Sequence, residues 1–292
     1  MTTTHEFDIE EHHLVALSLN PEAAGEPIVF LHGLLMSVRM CLWPELNFLR
    51  EHGPCYALSI PGHYPATFPP DFDASLLTAE TVSRLLATAI QQMFGSHQRV
   101  TLIGLSLGAW TALAIAAYYP EMVSRLICVA GAAEGKKVTG SVRVGLWLAR
   151  HGALGRALDK STIKILQRPK RHPRMWRRLW GDPGAFDAMP GREAFLEASL
   201  ADFVHLDLEA MVAWHRAFYR LDLTPVLPRI SAHALVLSGD SDPLAPPELA
   251  RLIAERVPHA ELVTFKGGGH VLPVECPAEF HRVVDGWLRK TA

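Results

Sequence analysis

The chain has 292 residues, 49% of them hydrophobic, with 28 Lys+Arg against 30 Asp+Glu and a formal net charge of −2. That balance excludes a disordered chain, and the length fits one large α/β domain with an insertion, or two compact domains, able to bury a core without disulfides or a structural metal. No apolar run reaches the roughly 18 residues that a membrane-spanning helix requires. Met1 to His13 holds acidic residues but no basic n-region or apolar h-region, so no secretory signal is read there. The four cysteines, Cys41, Cys55, Cys128 and Cys276, show no paired spacing for zinc or thiol exchange. They read as buried thiols of a cytoplasmic protein.

Taken in chain order, short apolar runs alternate with longer amphipathic ones. His13 to Leu19 reads as an antiparallel edge hairpin. Ile28–Leu31, Cys55–Ile60, Val100–Ile103 and Leu126–Val129 are β-branched or apolar runs that end in small residues, as strands buried on both faces do. Between them, Thr78–Phe94 places Val82, Leu85, Leu86, Ala89, Ile90 and Met93 at helical spacing. Leu107–Tyr119 continues in Ala and Leu until Pro120 stops it. Strand–helix alternation with short connections predicts a mostly parallel, doubly wound sheet covered by helices on both faces.

The alternation breaks after Val129. Residues 134–224 are helical in composition and punctuated by Pro169, Pro173, Pro183 and Pro190, which predicts a helical cap inserted into a core of residues 1–133 and 225–292. The pattern then resumes with a strand at Ala234–Leu237, a helix at Pro247–Arg256, a strand at Leu262–Phe265 and a closing helix at Ala278–Lys290. Charge marks the same boundary. Glu134 to Trp180 carries 13 Lys+Arg and only Glu134 and Asp159 as acids, leaving 15 basic and 28 acidic residues elsewhere.

Gly104-Leu-Ser106-Leu-Gly108 lies between an apolar strand and an Ala-rich helix. A serine on so tight a strand-to-helix turn is strained, and the residues two before and two after it must be small. Serine needs a base and an orienting acid. Gly239-Asp240-Ser241-Asp242 closes the next strand after the insertion and Gly267-Gly-Gly-His270 the one after, so Ser, Asp and His share the rim at the strands' C-terminal ends. Phe30-Leu-His-Gly33 ends the first parallel strand at that rim. There the N–H of Leu34 can pair with that of Leu107 as an oxyanion hole.

Together His32-Gly33, Pro61-Gly62, Gly104 to Gly108, Gly239 to Asp242 and Gly269-His270, in this order, make the chain resemble an α/β-hydrolase fold protein with a helical cap. The resemblance implies Ser106 as nucleophile, His270 as base and then acid, and Asp242 as its partner. Asp240 is the second candidate for the orienting acid, with a turn-forming role as its alternative. Members that open epoxides or remove halides attack with an aspartate at the elbow, so serine implies acyl chemistry. Where many members follow Pro-Gly with small residues and Ser, this chain has His63-Tyr64-Pro65. His63 and Tyr64 are therefore candidate substrate contacts, a plain surface role being equally open.

The expected activity is hydrolysis of a small-to-medium apolar carboxylic ester, since no charged residue is identifiably aimed at the serine. Three alternatives stay open: an acyltransferase or thioesterase acting on an acidic acyl carrier, a carbon–carbon hydrolase, and a non-catalytic binding protein. The basic cap segment is either a solvated surface or an attraction for an anionic partner or membrane face; nucleic acid is not expected, for want of any recognition motif. His205, His215, His233, His259 and His281 show no ligand spacing, so no metal and no cofactor are expected.

Overall fold

A computed structural model describes residues 2–291. Eight strands form one sheet in the order β1-β2-β4-β3-β5-β6-β7-β8. They run β1 Thr3–Ile9, β2 His12–Ser18, β3 Ile28–Leu31, β4 Cys55–Leu58, β5 Val100–Leu105, β6 Val123–Val129, β7 His233–Gly239 and β8 Ala260–Phe265. β1 and β2 form the antiparallel edge hairpin, β2 pairs antiparallel with β4, and every pair from β4 to β8 is parallel.

The two-residue period of the strands divides the core. Val29, Leu31, Leu102, Ala234 and Val236 enter one buried cluster, whereas Ile28, Phe30, Ile103, Leu235 and Leu237 enter another. Because both faces are covered, the central strands read as unbroken apolar runs rather than alternating ones. Helices α1 (Ala79–Phe94) and α2 (Leu107–Tyr118) lie on the first cluster. Thr78 starts α1 with its side chain accepting from the Thr81 N–H. α2 is buried around nearly its whole circumference, which its run of Ala permits.

Between β6 and β7 the elements are helical: α3 Gly140–Leu148, α4 Gly152–Leu166, α5 His172–Arg177, α6 Pro183–Asp187, α7 Arg192–Phe203 and α8 Leu208–Phe218. Pro173 and Pro183 sit in the first turns of α5 and α6, where a missing N–H costs nothing. An isolated bridge between Glu134 and Asp222 brings the two ends of this segment together. The chain then completes the sheet with α9 (Pro247–Arg256), the short α10 (Leu272–Glu275) and α11 (Pro277–Lys290). No helix among the described residues is long and apolar enough to cross a membrane.

The basic stretch is partly neutralised from within. Lys136 and Lys137 pair with Glu134, Lys160 with Glu209 and Arg177 with Asp187, while the Arg150 guanidinium lies 3.6 Å from the centre of the Tyr219 ring. Glu209 and Asp187 come from the acidic second half of the insertion, where residues 181–224 hold eight acids and three bases. The asymmetry along the chain is thus reduced when the helices pack.

Candidate active site

The rim at the C-terminal ends of β3, β5, β7 and β8 carries the site. Ser106 sits between β5 and α2 with φ of 57°, a left-handed conformation that a residue with a Cβ adopts only under constraint. The flanking glycines supply that constraint. A Cβ at Gly104 would lie 2.2 Å from the Gly108 carbonyl oxygen, and one at Gly108 would lie 2.1 Å from that of Leu31. The small residues two before and two after the serine are therefore required by backbone packed against backbone.

The Ser106 hydroxyl lies 2.9 Å from Nε2 of His270. On the far side of the ring, Nδ1 lies 3.0 and 2.9 Å from the two Asp242 oxygens. A carboxylate only accepts, so the Nδ1 proton points at Asp242 and Nε2 offers its lone pair to the serine. Asp242 is fixed in turn by the N–H groups of Leu244 and Ala245, which donate to Oδ1 at 2.7 and 2.9 Å. Asp240 does something else. Its Oδ1 accepts from the Gly267 N–H at 2.7 Å and from the Ser241 hydroxyl at 2.9 Å, tying the two rim loops together at the surface.

Burial of the His270 imidazole opposes its charging, but the charge and hydrogen bond of Asp242 and the charge of Glu275 outweigh it. His270 therefore titrates above the ordinary histidine value. Glu275 was not legible as part of the site. Its carboxylate accepts from the N–H groups of Gly181, Gly269 and Val271 at 2.9, 2.9 and 2.7 Å, so it binds the loop on both sides of His270 to the helical insertion. The His270 N–H itself donates to the Leu179 carbonyl at 2.8 Å. The insertion thus helps to hold the His270 loop in place.

Leu34 and Leu107 flank Ser106 in a small recess that also includes His270. Among the described residues, neither backbone N–H finds an acceptor. Leu107 opens α2, whose first-turn amides have no partner inside the helix. In the turn after β3, Leu35 takes a φ of 59°, a second constrained residue beside the site.

His32 lies beneath this turn. Its Nδ1 donates to the Gly33 carbonyl at 2.9 Å and its Nε2 accepts from the Ile60 N–H at 3.0 Å, an arrangement that needs a neutral ring. Burial brings its pKa down to about 4. His63 is wholly buried, with ring centres 5.1 Å from His32 and 5.6 Å from Trp214. Tyr64 is partly exposed and lies against His205. Neither His63 nor Tyr64 lines the cavities over Ser106. His63 fills space under the helical insertion instead, beside Trp214, which donates to the Pro61 carbonyl at 2.7 Å.

These buried rings predict acid sensitivity. Burial also lowers His12, His63 and His172, the last to about 4. Each of these groups binds more proton unfolded than folded once the pH falls below the unfolded value near 6.5, so stability is lost in that direction. His32 alone should cost about 2 kcal/mol by pH 5. His270 acts oppositely, its contribution being present below its unfolded value and lost as the pH rises through its raised folded value. Four groups outweigh one. Urea titrations should show a midpoint that drops steeply from pH 7.5 to pH 5; a flat midpoint contradicts the neutral packing of these histidines.

Over Ser106 lies a cavity of about 120 Å³, walled by residues such as Leu35, Met36, Val142, Ile163, Met175 and Leu244. A larger cavity of about 520 Å³ shares Leu35 and Met36 with it and extends between the 39–45 segment and α5 to α7. The sequence offers no charged residue identifiably aimed at the serine; the structure adds an ionisable pair to the cavity wall. Asp159 and His215, from α4 and α8, line the same small cavity.

The chain has relatives among known proteins. The chain is 22% identical over 274 residues to (E)-2-((N-methylformamido)methylene)succinate hydrolase of Acinetobacter baylyi, covering 92% of this chain and 93% of that protein. It is 23% identical over 283 residues to the human serine hydrolase BPHL, covering 94% and 84% of the two chains. Matches to the RutD protein of Pantoea ananatis and to 3-oxoadipate enol-lactonase 2 of Acinetobacter baylyi span 65% and 64% of those proteins. The crystal structure of the enol-lactonase from Burkholderia xenovorans LB400 superposes with a TM-score of 0.76 at 21% identity, over 98% of this chain and all of that one. The model of the alpha/beta hydrolase family matches residues 28–283, so the chain belongs to that family and is an enzyme.

Proposed function

We propose that the chain is a serine hydrolase acting on a small-to-medium, largely apolar carboxylic ester. The observation that carries this reading is the unbroken hydrogen-bonded line from Ser106 through His270 to Asp242 at the base of an apolar cavity. His270 takes the Ser106 proton as the hydroxyl oxygen attacks the ester carbonyl. The oxyanion is held by the N–H groups of Leu34 and Leu107, each contributing about 3 kcal/mol to the transition state. His270 then protonates the leaving alcohol, which departs and leaves an acyl-enzyme. Water, deprotonated by the same imidazole, releases the acid. Similar proteins named as a lactonase and as hydrolases accord with water as the acceptor.

The cavity volumes set the expected substrate size. A series of p-nitrophenyl acetate, butyrate, hexanoate and dodecanoate should give its highest kcat/KM at butyrate or hexanoate. Dodecanoate overfills the cavity of about 120 Å³ beside Ser106, whose Leu35 and Met36 also line the larger one. Absence of turnover with every ester overturns the reading.

A further inference from the structure

The cavity over Ser106 contains one ionisable pair besides the reacting groups. Asp159 and His215 are 1% and 4% exposed, yet both line the cavity. His215 Nδ1 lies 2.7 Å from Asp159 Oδ2. The carboxylate can only accept, so in the neutral ring it holds the proton on Nδ1 and leaves a lone pair on Nε2. Among the described residues no group donates to that Nε2. A third helix of the insertion makes room for the pair. A Cβ at Gly145 of α3, itself part of the cavity wall, would fall 2.7 Å from His215 Cε1 and 3.2 Å from Asp159 Oδ1. If the pair served only to join α4 to α8, two apolar side chains would do so without the cost of desolvating a carboxylate and an imidazole. The catalytic line from Ser106 to Asp242 makes no use of it.

We infer that the Asp159–His215 pair is a substrate-recognition site in which His215 Nε2 accepts a hydrogen bond from a hydroxyl group on the acyl chain. The inference rests on the ester-hydrolase reading above, in which Ser106 takes up that chain. The ligand class follows from charge and desolvation. An acceptor backed by the Asp159 carboxylate calls for a donor and repels a substrate carboxylate. An ammonium group would donate as well, but it would lose its hydration among the side chains of Leu148, Ile163 and Leu166. A hydroxyl carries the donor at the smallest desolvation cost.

The test compares p-nitrophenyl hexanoate with its 3-hydroxy and 6-hydroxy derivatives, the two matching methoxy derivatives, and the mono-p-nitrophenyl ester of adipate. The wild type should prefer one of the hydroxy esters over hexanoate by about tenfold in kcat/KM, the scale of one satisfied buried hydrogen bond. The matching methoxy ester keeps the oxygen but not the donor and should lose that preference. Adipate should be the poorest. In the double variant Asp159→Leu/His215→Leu, the hydroxy-to-plain ratio should fall to about one, and in Asp159→Asn it should fall part of the way. A purely structural pair would change all the esters together and leave the ratio intact. Equal rates for plain and hydroxy esters in the wild type, or a ratio that survives in the double variant, overturns the inference. Turnover of plain hexanoate bears separately on the hydrolase reading.

Discussion

Replacement of Ser106 by alanine is expected to lower kcat for p-nitrophenyl hexanoate by about a millionfold, with the fold unchanged. On the proposed mechanism, the size follows from removing the atom that forms the acyl-enzyme. His270, Asp242 and the amides of Leu34 and Leu107 would remain, but they have no covalent route to offer. The fold should persist because the hydroxyl's one hydrogen bond is to His270. The Ser106 N–H, bonded to the Val129 carbonyl at 2.9 Å, is untouched. Alanine keeps the same left-handed strain, so circular dichroism and the urea midpoint should match the wild type. Activity within a few-fold of the wild type would place the nucleophile elsewhere.

The second large effect is at Asp242. Asp242→Asn is nearly isosteric but can present an N–H to His270, so it no longer fixes the proton on Nδ1. Loss of the correct tautomer should cost about 10⁴ in kcat. The pH profile supplies a second readout. Activity needs neutral His270, so the wild-type rate should rise with a midpoint above the ordinary histidine value. In Asp242→Asn the larger raising influences are gone while burial and the smaller pull of Glu275 remain, so the midpoint should move down. Asp240→Asn should stay within a few-fold of the wild type, because that side chain only ties loops at the surface. A large loss at Asp240 with little at Asp242 would reverse the assignment of the acid.

The parts of the fold that were legible in the sequence were those set by local rules. The buried strands appeared as continuous apolar runs, and β5, Ser106 and α2 appeared as a strand, a small-residue turn and a helix. The serine, aspartate and histidine were readable because each follows a strand, and parallel strands deliver such loops to one rim. Glu275 was not readable. Its acceptors' partners include Gly181, 94 positions away, and no local pattern announces such a contact. His63 misled because its neighbours belong to the rim loop, whereas packing against His32 and Trp214 turns its ring inward. Asp159 and His215 stand 56 residues apart on two helices, so their meeting depends on how those helices pack. One signal was present. Asp159 is one of only two acids in a stretch holding 13 basic residues, which is an odd place for a carboxylate with no task. The helical insertion was legible as a segment, but the cavity it forms was not.

The central claim is that Ser106 is a nucleophile activated by His270. Intact-mass and peptide mass spectrometry after treatment with a fluorophosphonate tests it most directly. One equivalent of adduct on the peptide containing Ser106, absent from Ser106→Ala and strongly slowed in His270→Ala, is the predicted result. An unlabelled wild type, or an adduct that persists in Ser106→Ala, would contradict it.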